Sequence, residues 1–327
     1  MGKKPFDLLV VGEINPDLIL SGDVTPIFGQ VEKLVEDVTL TMGSSAVIFA
    51  CGATRLGLKT TFIGKVGQDE FGRFMLDSMR ARGIHTAGVV IDPTLPTGLS
   101  VILNRRGDRA ILTSPGTIPA LRLADISLEI LSQARHLHLT SYFLQTTLKP
   151  DVPVLFDLAH HQGLTTSLDT NYDPREVWDN GLEEVLVRTD VFLPNAAECC
   201  AIARTDDLEQ AMHRLAEKSG LVVVKLGREG AALRQKGLSL RTAAIPVQVA
   251  DTVGAGDSFD AGFIYGYLSG WERSKCLRLA CVCGSLSTQK SGGTDGQPTL
   301  EEALVWLASA SGASTFTPLP SLGESEE

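Results

Sequence analysis

Short apolar runs alternate with stretches of helical periodicity along this 327-residue chain, and that alternation is what most limits its fold. The runs are DLLVVG at 7–12, TTFIGKVG at 60–67, HLHLTS at 136–141, TTSLDTN at 165–171, VFLPN at 191–195 and LVVVKLG at 221–227. Bounded by turn residues and rich in β-branched side chains, they read as strands buried in a parallel sheet. Helical spacing of apolar residues predicts helices over 44–56, 70–82, 125–134, 175–187, 207–219 and 257–269. Such an alternation predicts an α/β core, a doubly wound, mostly parallel sheet with right-handed crossovers.

Two stretches break the rhythm. Residues 14–42 and 96–113 read as alternating strands joined by turns, which suits a small antiparallel sheet with one covered face. The reading is therefore an α/β core of 1–13, 43–95 and 114–309, carrying an inserted β-sheet lid of 14–42 and 96–113. The tail 310–327, rich in Ser, Pro, Gly and Glu, has too little apolar surface to order itself and is expected to be flexible.

A formal charge of −10 argues against a nucleic-acid partner, since a polyanion binder needs a basic stripe. Arg105, Arg106 and Arg109 flank Gly107-Asp108 and read as a solvated hairpin tip. No apolar stretch approaches the ~18 residues needed to span a bilayer, so no membrane partner is expected. The N-terminus reads as a first strand, not a leader, and a cytoplasmic location is expected. The six cysteines are expected to be reduced, with Cys281 and Cys283 as packing residues. His136 and His138 are expected to be satisfied or exposed imidazoles, without a catalytic role.

The heptapeptide Asp251-Thr252-Val253-Gly254-Ala255-Gly256-Asp257 carries the chemistry. Gly254, Ala255 and Gly256 let backbone approach an anion at a helix start, where unsatisfied amides point outward. A carboxylate at the same place, Asp257, can accept a proton from a hydroxyl that attacks a phosphoryl group. An ordinary N-cap after a tight turn would also produce a bare Gly-Ala-Gly-Asp. The extended run with a second acid, Asp251, is more specific.

That heptapeptide resembles the second signature of the ribokinase-like (PfkB) carbohydrate kinases, differing from DTTGAGD only at Val253, and the resemblance runs from strand 7–12 to about residue 300. It implies ATP and Mg²⁺ as cofactors and phosphoryl transfer to a sugar, polyol or nucleoside, with Asp257 as base. Asn195-Ala-Ala-Glu198 is similar to the family's NxxE element, which implies that Asn195 and Glu198 organise Mg²⁺ and its waters. One or two carboxylates with phosphate oxygens suffice for that ion, although Glu198 as a helix-start acid reads equally well. Asp251 and the Val253 carbonyl match positions that bind a monovalent cation, potassium, in several relatives.

On the nucleotide side, Lys225, Gly227 and Gly230 follow the strand LVVV and match a segment lying against the nucleotide; Lys225 faces phosphate or solvent. Cys283, Gly284 and Ser287 resemble the small residues beneath the adenine, although close packing alone also selects small residues there. On the acceptor side, Asn15 and Asp17 begin where the first strand ends, with Asp17 matching an aspartate that binds two sugar hydroxyls. Gly43 stands in a first signature whose usual glycine and asparagine are here Met42 and Val47. In Leu168-Asp169-Thr170-Asn171-Tyr172-Asp173 the family's arginine position is Asp173, which is expected to repel a substrate carboxylate and favour a neutral acceptor. Asp169 and Asn171 are expected to orient water or metal. The family resemblance also implies a homodimer formed through the lid.

Two other classes compete. A non-catalytic ligand sensor on a kinase fold would lose the base or metal residues, and here Asp257, Asn195 and Glu198 are all present. A nicotinamide-dependent dehydrogenase lacks its Gly-x-Gly-x-x-Gly turn after the first strand.

Overall fold

The computed structural model describes residues 4–105, 108–179 and 181–309. Arg106, Gly107 and the proposed flexible tail 310–327 lie outside the described residues. The strands are β1 (Phe6–Val11), β2 (Pro16–Ser21), β3 (Asp37–Met42), β4 (Thr60–Ile63), β5 (Lys65–Gly67), β6 (Val90–Asp92) and β7 (Leu99–Arg105). They continue with β8 (Asp108–Ser114), β9 (Ala134–Thr140), β10 (Thr165–Asp169), β11 (Val191–Phe192), β12 (Val222–Lys225), β13 (Ala231–Gln235) and β14 (Leu238–Thr242).

Eight strands form the main sheet in the order β14-β13-β12-β11-β10-β9-β1-β4. The pairs from β12 through β4 are parallel, and only the pairs β12–β13 and β13–β14 are antiparallel. Both faces are covered, as the strand composition requires: Leu8 and Val10 enter one core cluster while Leu9 and Val11 enter the other. Helices Ser45–Arg55, Ala255–Leu268 and Arg273–Ser287 cover the first face, and Val152–His161 and Leu208–Ala216 the second. The chain leaves β1 for β4 on one side while β9 lies on the other, so the strand order reverses there. In open α/β sheets ligands bind outside the carboxyl ends of strands at such a switch point.

The predicted helices over 44–56, 70–82, 207–219 and 257–269 are present within a residue or three at each end. The helix expected over 175–187 shrinks to Leu182–Leu186. The Asp173 carboxylate accepts from the amides of Arg175, Val177 and Trp178, which folds that stretch into a loop, with Glu176 and Trp178 at positive φ. Local side-chain acceptors of this kind compete with helical hydrogen bonding.

The lid is a four-stranded sheet ordered β3-β2-β7-β8. It is mixed instead of antiparallel: β2 pairs antiparallel with β3, but β2 and β7 are parallel. The chain leaves the core along β2 and returns along β3, then leaves along β7 and returns along β8. The two outgoing strands meet in the middle and must run the same way. Residues 22–36, read as part of the strand pattern, form the long connection between β2 and β3.

Candidate active site

The first turn of helix Ala255–Leu268 stands beyond the carboxyl ends of β1, β9, β10 and β12. Gly254 caps the helix at φ +69, a left-handed conformation disfavoured for other residues, and a Cβ there would lie 2.8 Å from the Gly293 backbone. The loop carrying Gly292 and Gly293 therefore braces the turn, and Asp251 ties the two together: its Oδ1 accepts from Val253 N at 3.0 Å and its Oδ2 from Gly292 N at 3.1 Å. The Ala255 amide bends back to the Thr252 carbonyl at 3.3 Å, so it is partly engaged in the turn. Gly256 and Asp257 follow in the first turn, where a helix supplies no internal acceptor for its amides.

Asp257 is 9 % exposed. Burial, reinforced by the charges of Asp169 and Glu13, pushes its carboxyl up to about 8, against the opposing pull of Lys225 and a hydrogen bond from Ser45. A carboxyl in this range is poised to exchange a proton near neutrality, which general-base work requires.

Beneath the turn lies a buried charge cluster. Lys225 Nζ sits 2.7 Å from Asp169 Oδ2 and 3.0 Å from Asp260 Oδ2. A Cβ on Gly256 would lie 3.8 Å from that ammonium, so the positive charge is directly under the anion turn. Burial pulls Lys225 down, but Asp169 and Asp260 outweigh it and hold the ammonium well above the usual lysine range. The sequence left Lys225 between phosphate and solvent; its principal partners are instead two aspartates. Asp260, one helical turn after Asp257, was not singled out from sequence, although its i+3 spacing was the available signal.

Asn195 and Glu198 form a reciprocal cap on helix Ala196–Ala203, with Asn195 N bonded to Glu198 Oε2 and Glu198 N to Asn195 Oδ1, both at 2.9 Å. Glu198 is nevertheless buried, and burial with the nearby Asp169 charge pushes it up to about 7. Among the described residues no cluster of three or more His, Cys, Asp or Glu side chains could hold a metal ion by itself, so a divalent ion beside Glu198 would have to rest mainly on phosphate oxygens.

A cavity of about 700 Å³ runs beside the turn, lined by Lys225, Gly227, Gly230, Ile245, Val247, Val249, Ala255, Gly256 and Phe259. From helix Arg273–Ser287 and the residue after it come Cys281, Gly284, Ser285 and Thr288. Cys283 and Ser287, expected here, turn away: Cys283 Sγ packs against Gly262, and Ser287 Oγ bonds the Gly284 carbonyl. Residues 281, 284, 285 and 288 form one helical stripe, while 283 and 287 form the adjacent one.

The acceptor-side residues gather at the lid hinge. Asp17 opens β2, and a Cβ on Gly43 would lie 2.1 Å from its Oδ1, so only glycine fits there. Asn15 Nδ2 donates to Ser100 Oγ, which bonds Thr113 Oγ1 across the lid. Burial pushes Asp17 up to about 7; Arg109 opposes the shift and Glu13 adds to it. Arg109 also lies 3.8 Å from Asp251. This corrects the reading of Arg109 as a solvated tip residue: it reaches from the lid to the core. Asp173 is corrected too, because its carboxylate is engaged with three amides of its own loop.

Residues 6–300 match the model of the pfkB family carbohydrate kinases. The chain belongs to that family. An uncharacterised sugar kinase of Archaeoglobus fulgidus is 31 % identical over 76 % of this chain and 98 % of its own length. The 5-dehydro-2-deoxygluconokinase of Geobacillus thermodenitrificans is 29 % identical over 92 % of each chain. Among solved structures, Arabidopsis thaliana ribokinase complexed with ribose and ATP superposes with a TM-score of 0.78 at 25 % identity, covering 92 % of this chain and 98 % of its own. The fold is therefore ribokinase-like, and the chain is a carbohydrate kinase by family.

Within this pfkB kinase the first signature is the divergent part. Met42 is buried at the end of β3, and Val47 is fully buried in helix Ser45–Arg55 with its amide bonded to Ser44 Oγ. The position of the usual substrate-binding asparagine thus faces the core. Asn171, expected near water or metal, donates to Thr140 and Ser141 hydroxyls at the ends of the central strands. His136 and His138 are buried and satisfied through Thr165 and Ser167. Among the described residues no helix is long and apolar enough to cross a membrane.

Proposed function

We propose that this carbohydrate kinase transfers the γ-phosphoryl group of ATP to a hydroxyl of a small sugar, polyol, nucleoside or sugar acid, with Asp257 as general base. The observation that carries the reading is one turn in which a buried carboxyl poised near neutrality stands at the start of a helix, above a buried ammonium. ATP is assigned to the 700 Å³ cavity, with Gly227 and Gly230 allowing close approach of its phosphates. Asn195 and Glu198 are assigned to Mg²⁺, which when bound neutralises phosphate charge. The acceptor is assigned between Asn15, Asp17, Gly43 and the lid.

In this reading Asp257 takes the hydroxyl proton as the oxygen attacks in line, while Gly256 and the turn of Gly254 and Ala255 stabilise the transferring group. Phosphoryl transfer asks mainly for positioning and charge stabilisation. The lid excludes competing water. Potassium at Asp251 and the Val253 carbonyl would share that carboxylate with Arg109; titrating potassium at constant ionic strength decides whether the ion contributes. A homodimer through the lid is part of the proposal, supported by exposed apolar side chains on its strands, Val38, Leu40, Ile111 and Leu112. The six free cysteines suit the reducing cytoplasm.

The test is an ADP-release screen over neutral sugars, polyols, nucleosides and sugar acids, including 5-dehydro-2-deoxygluconate, beside Asp257→Asn. Acceptor-dependent ADP release abolished in the variant is the expected result. Saturable binding without ADP release would make the chain a sensor, and undiminished turnover in the variant would remove Asp257 as the base.

A further inference from the structure

The two faces of the lid differ in chemistry. Register sets Leu18 and Leu20 of β2 beside Val101 and Leu103 of β7 on one face, and the alternate residues Asp17 and Ser21 beside Ser100 and Asn104 on the other. On β8 the partners of Ser100 and Asn104 are Thr113 and Arg109. Asp17, Ser100, Thr113 and Arg109 therefore share a face, and it is the face turned to the core: Asn15 Nδ2 lies 3.3 Å from Ser100 Oγ, and Arg109 Nη1 lies 3.8 Å from Asp251 Oδ1. Arg109 starts near the hairpin end of β8, and its side chain reaches the loop that carries the glycine turn. It spans the cleft to which the acceptor is assigned.

Asp251 does not depend on that cation. Its Oδ1 accepts from Val253 N at 3.0 Å and its Oδ2 from Gly292 N at 3.1 Å, and at 3.8 Å the guanidinium stands outside hydrogen-bonding distance. With side chains 40 % and 21 % exposed, the pair is screened by water and weak. An acceptor that fills the cleft displaces this water. A neutral acceptor would leave Arg109 desolvated beside a carboxylate it does not reach, which is costly. A carboxylate on the acceptor would instead meet the planar fork with two charge-assisted hydrogen bonds. A phosphate dianion suits the place less, because one guanidinium already shared with Asp251 does not offset two further charges.

We propose that Arg109 is a specificity-determining residue that receives the carboxylate of the acceptor, and that the acceptor is accordingly a sugar acid. The inference deepens the kinase reading and rests on the acceptor lying between lid and core. It does not require Asp257 to be the base.

The test compares ADP release with gluconate, galactonate and 5-dehydro-2-deoxygluconate against glucose, galactose and sorbitol. In the wild type at least one acid should exceed the neutral acceptors in kcat/KM. Arg109→Gln should lower the value for that acid by about 10–100-fold, mainly through KM, and leave the neutral acceptors nearly unchanged. Arg109→Lys keeps the charge, loses the fork and should fall between the two. Equal losses on acids and neutral acceptors, carried by kcat, would make Arg109 a strut of the lid or a clamp on the phosphoryl group and overturn the proposal. A wild-type preference for neutral acceptors would overturn it as well. Calorimetric titration of the acids into Asp257→Asn, with Mg²⁺ and a non-hydrolysable ATP analogue, keeps this proposal apart from the assignment of the base. Binding that weakens when Arg109→Gln is added sustains the anchor, and binding that does not weaken overturns it. Retained turnover in Asp257→Asn removes the base and leaves the anchor standing.

Discussion

Replacing Asp257, the proposed base, should make the protein more stable while it destroys activity. In the folded chain Asp257 is raised from the ordinary carboxylate value of 3.8 to about 8, with burial as the main cause. A group whose folded value lies above its unfolded value contributes stability that is present below the unfolded value and lost as pH rises through the folded one. At pH 7 the fold holds a proton that the unfolded chain has released, a penalty of roughly 4 kcal/mol at 1.36 kcal/mol per unit. Asn cannot ionise and escapes it, while a weaker bond to Ser45 takes back about 1 kcal/mol. The net gain of roughly 3 kcal/mol corresponds to a Tm increase of roughly 4–6 °C for a chain of this size. Thermal unfolding of wild type and Asp257→Asn from pH 4 to 8.5 should show almost no advantage at pH 4 and a growing one up to about 8. The turnover of Asp257→Asn should fall by about 10²–10⁴-fold. An advantage that is absent, or that does not change with pH, would refute the claim that desolvation governs this carboxyl.

Three further outcomes follow from the same contacts. Gly43→Ala places a methyl group against Asp17 and should raise the KM for the acceptor with little change in the KM for ATP, read from steady-state kinetics. Lys225→Met leaves Asp169 and Asp260 buried without their cation and should cost about 3–5 kcal/mol in urea unfolding at pH 7. Burial pushes His138 down to about 3 and lowers His136 as well, so both stay neutral in the fold. Stability should therefore fall as pH drops below 6.5, by about 2 kcal/mol at pH 5 for His138, and His138→Phe should remove one proton from that slope.

The alternation of buried runs and helical spacings was enough to give the α/β core, because a strand covered on both faces and a helix with one apolar stripe have few ways to bury themselves together. The turn at 251–257 was equally legible, since glycine freedom, helix-start amides and a carboxylate are local properties of adjacent residues. Local reading failed where a side chain's partner lay far along the chain. Asp173 looked like a charge facing substrate and is consumed by its own loop; Arg109 looked like a solvated tip and reaches Asp251 from the lid. Cys283 and Ser287 lie on the stripe of helix Arg273–Ser287 that does not line the cavity, a difference in phase that only packing against Gly262 settles. Sequence alone thus determined which elements form and where the glycine turn before helix Ala255–Leu268 lies, both being set by short-range geometry. Tertiary structure decided which charges meet, placing Lys225 between Asp169 and Asp260, because proton affinities depend on burial and on charges brought together across the sheet.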